Sequence, residues 1–317
     1  MTNTTNDPHQ AVAGTEQVAS SSETALEVDN LSHWFDEFRV LNQVNLKIAP
    51  GQIVALVGPS GCGKSTLLKA ILGTQPANEG CVLVDGKAIR APSRDVGIVF
   101  QHYSLFDFLT AEANVAFGLK LDQTSTPFRT FMYPKWRELR KQHLQQAREF
   151  LEKVKLGAAC GKYPSELSGG MRQRVAIAQA LILKPKLVLL DEPFGALDEA
   201  TRESLQMMLL GFYQENLKAK REGRTPEYTI LIVTHELNEA IYVADRVIGL
   251  SRFHEDAEQG AMVVYDRPCP VYHPDDPKDL ADFVEQREEL RKAVFDPEYI
   301  KHHSKYVSFW NELETDG

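Results

Sequence analysis

With 317 residues, 43% apolar and 25% charged, the chain has the length and composition of a soluble globular protein of one large domain or two small ones. A net charge of −9 argues against a nucleic-acid binder, though it leaves room for a local basic stripe, and no apolar run approaches the ~18 residues that cross a bilayer. The four cysteines, Cys62, Cys81, Cys160 and Cys269, lack metal-ligand spacing and fit a reducing cytoplasm.

From Met1 to about Thr24 the chain is rich in Thr, Asn and Ser, with neither a basic start nor an apolar h-region. Residues 1–25 therefore read as a disordered tail and not as a secretory signal. Leu26–Val28 and Val40–Ile48 follow as strands, and Ile53–Val57 is an apolar run of buried-strand character. Immediately after it stands Gly58-Pro59-Ser60-Gly61-Cys62-Gly63-Lys64-Ser65-Thr66, a complete G-x-x-x-x-G-K-[ST] phosphate loop, and Leu67–Leu72 reads as the first turns of a helix. In that setting the glycines turn backbone N–H groups inward and the helix N-terminus adds partial positive charge. Lys64 reaches the β- and γ-phosphates of a nucleotide, and the Ser65 hydroxyl ligates Mg²⁺. Cys62, at a helix N-terminus beside Lys64, is expected to favour the thiolate and to react with thiol reagents unless ATP protects it.

Cys81–Val84 enters a tight turn at Asp85-Gly86, and Val96–Phe100 is a strand that ends at Gln101. From about Tyr103 to Lys184 helix formers dominate, which suggests a helical subdomain inserted into an α/β core. Pro134 opens a long helix in which Trp136, Leu139, His143, Ala147, Leu151 and Val154 share a face. Its other faces carry Lys135, Arg137, Arg140, Lys141 and Arg148, either as a solvated surface or as a contact for anionic lipid headgroups or an acidic partner. Ser168-Gly169-Gly170 precedes an expected helix over Val175–Leu183 and forms a second anion site by the same backbone and dipole argument.

Leu187–Leu190 is a buried strand that delivers Asp191 and Glu192 to its C-terminal end, the edge where open α/β sheets bind ligands. There Asp191 would hold Mg²⁺ and Glu192 would activate water. Strands return at Tyr228–Val233 and Val247–Leu250. Pro277–Val294 reads as a helix with Leu280, Phe283, Val284, Leu290 and Val294 available for packing on the core or a dimer mate, while Tyr306, Phe309 and Trp310 suggest a docked tail.

The phosphate loop, Leu167-Ser168-Gly169-Gly170-Met171-Arg172-Gln173-Arg174 and Asp191-Glu192 together resemble the nucleotide-binding subunits of ATP-binding cassette (ABC) transporters. The resemblance covers about residues 26–250. It implies an α/β P-loop NTPase (RecA-like) core with an antiparallel β subdomain and an inserted α-helical subdomain at about 102–186, followed by a partly helical extension over 251–317. ATP and Mg²⁺ are the implied ligands, and ATP hydrolysis the implied activity. In the family the signature segment of one subunit closes on ATP held by another in a head-to-tail dimer, so Ser168, Gly169 and Gly170 would contact ATP in trans. Gln101 matches the glutamine that senses Mg²⁺ and the attacking water, and its loop would touch the membrane subunit. Gly195-Ala196-Leu197-Asp198 looks like the dimer-contact loop, with Asp198 coupling the two sites. His235, after Leu231-Ile232-Val233-Thr234, corresponds to the switch histidine, and Leu31-Ser32-His33-Trp34-Phe35 is similar to the segment whose aromatic stacks on adenine. Phe35 fits that role by spacing, with Trp34 the alternative.

Met171, where glutamine is commonest, is familiar in the nitrate, sulfonate and taurine importer branch. Asp107-Phe108 departs from the Pro-Trp often found after the glutamine loop, and the stretch from Leu121 to Tyr133 is longer than usual. The implied assembly is a homodimer or paired ATPase subunits at the cytoplasmic face of the inner membrane, with a separate permease and an extracytoplasmic solute-binding protein, and no nucleic acid. The imported solute would be a small anion. A non-transport ATPase of the same fold, serving DNA repair or translation, is the alternative.

Overall fold

The computed structural model describes residues 24–102, 104–195, 197–251, 260–270 and 281–296. In chain order the elements are β1 (Leu26–Phe35), β2 (Phe38–Ile48), β3 (Ile53–Val57), α1 (Lys64–Leu72), β4 (Glu79–Val84), β5 (Lys87–Ala88) and β6 (Val96–Val99). Then come α2 (Ala111–Gln123), α3 (Thr126–Phe131), α4 (Tyr133–Lys153), α5 (Gly169–Leu181), β7 (Leu187–Asp191) and α6 (Glu199–Arg221). The remainder is β8 (Ile230–Thr234), α7 (Leu237–Val243), β9 (Arg246–Leu250), β10 (Val263–Pro268) and α8 (Ala281–Phe295).

Two sheets result. The antiparallel one runs β2-β1-β4-β5, and the other runs β10-β9-β3-β8-β7-β6, parallel except for β10. All five residues of β3 are buried, as expected of a strand covered on both faces. Their alternation divides the core: Ile53, Ala55 and Val57 face the side that holds α2 and α5 to α8, whereas Val54 and Leu56 face α1 and the antiparallel sheet. The antiparallel sheet is thereby packed beside the phosphate loop.

The helical insertion comprises α2 to α5. Thr110 caps α2 by accepting from the Ala113 N–H, and the fully buried Asn114 fixes the chain that follows Gln101. Its amide donates to the carbonyls of Phe106, Leu109 and Thr110 at 3.0–3.1 Å, and its oxygen accepts from Phe106 N. On α4, His143, Ala147, Leu151 and the following Val154 are buried, and Trp136 and Leu139 half-buried, as the spacing predicts.

Several expectations need correction. Helix α5 starts at Gly169, not Val175, because Ser168 caps it and both glycines lie within its first turn. Ala25, placed in the tail, is buried and donates its N–H to the Ile48 carbonyl. Beyond Leu250, β10 adds an edge strand and α8 buries Phe283, Leu290, Ala293 and Val294 in the core of the parallel sheet. Val284, expected to pack, is exposed. Residues 1–23 of the tail, Ala196, Leu280, Tyr306, Phe309 and Trp310 lie outside the described residues.

Candidate active site

Between β3 and α1 the chain makes the tight loop that the G-x-x-x-x-G-K-[ST] pattern predicts. Gly63 caps α1 with φ of 100°, in the left-handed region, and a Cβ there would lie 2.7 Å from Leu41 and 2.9 Å from Val40 of β2. Glycine is therefore required twice, for the turn and for contact with the antiparallel sheet. Gly58 and Gly63 are buried, Pro59 and Thr66 half-buried, and Ser60, Gly61 and Ser65 exposed. Lys64 is 8% exposed, and its ammonium spans the loop, donating to the carbonyls of Gly58 (2.6 Å) and Pro59 (3.0 Å).

Cys62 does not meet its expectation. Its side chain is buried beneath the loop, where a Cβ on Gly58 would come within 2.6 Å of Sγ. Burial pushes the thiol up, which outweighs the opposing pull of Lys64. The helix terminus and the lysine are present, but desolvation wins, so Cys62 is a packed thiol and not a reactive thiolate.

Three parallel strands deliver the remaining groups to one edge. β7 ends in Asp191 followed by Glu192, β8 in Thr234 followed by His235, and β6 leads to Gln101. The β7–β8 register pairs Asp191 with Val233, and Glu192 N donates to the Val233 carbonyl at 2.8 Å. Glu192 holds φ of 45°, unusual for a residue with a Cβ and costly unless its surroundings enforce it. They do so at both oxygens: Oε1 lies 3.0 Å from His235 Nδ1, and Oε2 accepts from Gln101 Nε2 at 3.3 Å. The glutamine, the glutamate and the histidine named from the sequence thus meet at one carboxylate. Asp191 beside them is half-buried, and burial, then the neighbouring Glu192, raises its pKa against the pull of Lys64.

A further set, not singled out from the sequence, ties this edge to the start of α6. Thr234 Oγ1 donates to Glu239 Oε2 at 3.2 Å, Glu239 Oε1 pairs with Arg202 Nε at 3.3 Å, and Arg202 Nη2 donates to the Leu197 carbonyl. Glu239 lies on α7, and no local spacing marks it, because its partners Thr234 and Arg202 come from other elements. Asp198 caps α6, accepting from Thr201 N at 3.0 Å and Thr201 Oγ1 at 2.7 Å, which holds its carboxyl below the usual carboxylate range.

The signature segment is placed apart. Ser168 is exposed, its hydroxyl accepts from Met171 N, and it makes no hydrogen bond to the residues around Lys64. Gly169 is half-buried and Gly170 buried, where a Cβ on Gly170 would overlap the Thr201 methyl group of α6. Phe35, at the β1–β2 turn, is 47% exposed and lies edge-on to His33, whose strand partner Leu41 touches Gly63. Trp34 is half-buried, with the Arg39 guanidinium over its ring. Of the two aromatics, Phe35 is the more exposed.

This donor set fits a Mg-nucleotide. A tight glycine loop at a helix N-terminus and a buried lysine suit a polyphosphate, and a half-buried carboxyl with a raised pKa is relieved by a nearby divalent cation. Among the described residues no cluster of three His, Cys, Asp or Glu could hold a metal, so a cation here would rest on Ser65, Gln101, Asp191 and the phosphates themselves.

Known proteins carry the same pattern. Residues 41–195 match the family described as ABC transporter. The sulfate/thiosulfate import ATP-binding protein CysA of Acinetobacter baylyi is 38% identical over 251 residues, which are 78% of this chain and 65% of that protein. The protein of the same name from Pectobacterium atrosepticum is 37% identical over 254 residues, 78% of this chain and 71% of that one. The chain therefore spans about two thirds of the length of these relatives. Among solved structures, the dimeric post-hydrolysis state of the ATP-binding cassette MJ0796, bound to ADP and Pi, has a TM-score of 0.58 at 28% identity and covers 78% of this chain and 100% of that one.

Proposed function

The chain belongs to the ABC transporter ATPase family, and on that premise we propose that it is the ATP-hydrolysing subunit of an importer, with the ATPase unit at about 26–250. The observation that carries this reading is the convergence of Gln101 and His235 on the two oxygens of Glu192, at the sheet edge beside Asp191. Glu192 takes a proton from the attacking water, a contribution of typically ~10²–10⁴-fold. His235 and Gln101 hold that carboxylate and the water in line with the γ-phosphate, and Lys64 carries the charge of the β- and γ-phosphates. Mg²⁺, held by Ser65, Asp191 and Gln101, would neutralise the charge that develops on the phosphate oxygens. Phe35 stacks on the adenine.

Ser168, Gly169 and Gly170 serve a second copy. Exposed Ser168 at that helix start makes no hydrogen bond to the chain's own phosphate loop, which supports a head-to-tail dimer in which Asp198 lies at the contact. The membrane subunit would dock where α2 and α4 form a groove of about 440 Å³, lined by Phe108, Phe117 and Trp136 together with Lys120, Arg129 and Arg140, next to the segment after Gln101. Phe108 there is 75% exposed. No helix among the described residues is long and apolar enough to cross a membrane, which fits a permease on another chain and a peripheral place at the cytoplasmic face of the inner membrane. The solute would be a small oxyanion captured by a solute-binding protein: the relatives are named for sulfate and thiosulfate, and Met171 fits the nitrate, sulfonate and taurine branch. Only 66 residues separate Gln101 from Ser168, too few for the coiled-coil arms of repair ATPases.

The test is ATPase activity of the purified chain and of Glu192→Gln, with dimerisation followed by size-exclusion chromatography. Hydrolysis by the parent, and an ATP-dependent dimer that barely turns over in the variant, are expected. Undiminished turnover by Glu192→Gln would remove the glutamate from its role.

A further inference from the structure

We propose that the α3–α4 corner is a contact surface for anionic lipid, a second attachment beside the permease groove, and this rests on the membrane-attached reading above. Helix α3 buries none of its residues. At its end Phe131 is 83% exposed, followed by Tyr133 at 62% and Met132 at 40%. Apolar side chains this open, grouped in three consecutive positions, are an interaction surface more often than scatter.

The charge beside them has one sign. Residues 126–141 hold Arg129, Lys135, Arg137, Arg140 and Lys141 against the single carboxylate Glu138, in a chain whose net charge is −9. Glu138 pairs with Lys141 at 3.6 Å, and Arg129 is spent on the Thr124 carbonyl and hydroxyl and on Thr126. Among the described residues no carboxylate pairs with Lys135, Arg137 or Arg140. Tyr133 and Arg137 are one turn apart on α4, so an interfacial aromatic and a free cation share a face.

Shape separates this surface from the permease groove. Arg129 and Arg140 line that groove, but Phe131, Met132, Tyr133, Lys135 and Arg137 line neither it nor the neighbouring cavity lined by Phe100, Phe106 and Leu183. A protein segment seats its side chains in such recesses, whereas a protruding apolar corner ringed by cations suits a fluid headgroup layer, into which the apolar groups sink while the cations meet phosphates. The acidic remainder of the chain opposes this weakly, because charges beyond about 8 Å are screened at physiological salt.

The experiment is flotation of the full chain with vesicles of phosphatidylcholine alone or mixed with phosphatidylglycerol, at low and high salt. Partition into anionic vesicles that salt suppresses is expected. Lys135→Glu/Arg137→Glu should weaken it at least ~30-fold, at the usual strength of a juxtamembrane cation. Phe131→Ser/Met132→Ser should weaken it about tenfold and leave the salt dependence in place. Both variants should keep the parent's thermal unfolding and ATPase rate. Equal partition into neutral vesicles, variants that partition like the parent, or capture that requires permease in the vesicle would each overturn the proposal. Flotation needs no ATP, so a chain that ignores vesicles yet hydrolyses ATP loses only this inference.

Discussion

At the sheet edge, Gln101, Glu192 and His235 come from three different strands and are bonded to one another, while on α5 the Ser168–Gly170 turn is held by packing against Thr201. The first arrangement positions a reacting group to within a hydrogen bond. The second positions only a helix end, where Ser168 is exposed, Gly169 half-buried and Gly170 buried. A site completed within one chain can fix side chains, whereas a site completed by a partner must present backbone and leave room. The two meet at the start of α6: Arg202 reaches the catalytic edge through Glu239 and Thr234, and Thr201 joins Asp198 to Gly170.

The largest break of this contrast is Lys64→Ala. It removes the one buried cation of the loop and leaves the Gly58 and Pro59 carbonyls without their donor, so hydrolysis should fall by at least ~10³-fold. ATP affinity should fall with it, measured by fluorescent-nucleotide titration, and retained affinity would count against the loop. A second break severs the link to α6. Glu239→Ala leaves Arg202 facing a void, and because Arg202 is 39% exposed the cost should be about 2–3 kcal/mol, below the ~3–5 of a fully buried pair. Urea unfolding checks the stability. The ATPase rate should drop with KM for ATP little changed, because Thr234, the residue before His235, loses its bond to Glu239 while the phosphate loop keeps its own.

On the other side, Gly170→Ala places a methyl group on the Thr201 methyl and should cost about 2 kcal/mol by overpacking. Thr201→Ser removes that methyl and keeps the hydroxyl bonded to Asp198, so the double variant should recover most of the stability. Failure of this rescue in thermal unfolding would mean that the glycine is needed for backbone reasons alone.

How much of this was legible follows the same division. β3, β7 and β8 are apolar runs, so the phosphate-loop pattern after β3 and the carboxylates at the end of β7 mark Lys64, Asp191 and Glu192, while His235 after β8 is marked by the family resemblance. Long-range contacts had no such mark. That Leu41 closes on Gly63, and that Val294 of α8 lies where a Cβ of Gly249 would be, depends on which elements pack, not on local pattern. The thiol of Cys62 shows the same limit: its neighbours in sequence favour the thiolate, and its depth decides otherwise. β10 carries no buried apolar run: it lies at the edge of the sheet, exposes Asp266 and Arg267 and ends in Pro268.

The smallest effect lies away from both sites and tests whether the C-terminal part of the core is tuned or merely filled. Asp245, at the entry to β9, is pushed up to about 6, chiefly by burial, against the pull of the Ile53 backbone, Lys220 and Arg246. Its folded-state pKa exceeds the ordinary 3.8, so the folded chain holds this proton over a range where the unfolded chain has lost it. The contribution of Asp245 is therefore most favourable below about 4 and declines as the pH rises through about 6. Asp245→Asn removes that penalty and should be about 1–2 kcal/mol more stable than the parent at pH 8, with the two converging at acid pH, as read by urea unfolding across that range. A variant less stable than the parent at pH 8 would mean that the ionised carboxylate is held by bonds an amide cannot replace, and that burial is not what governs this residue.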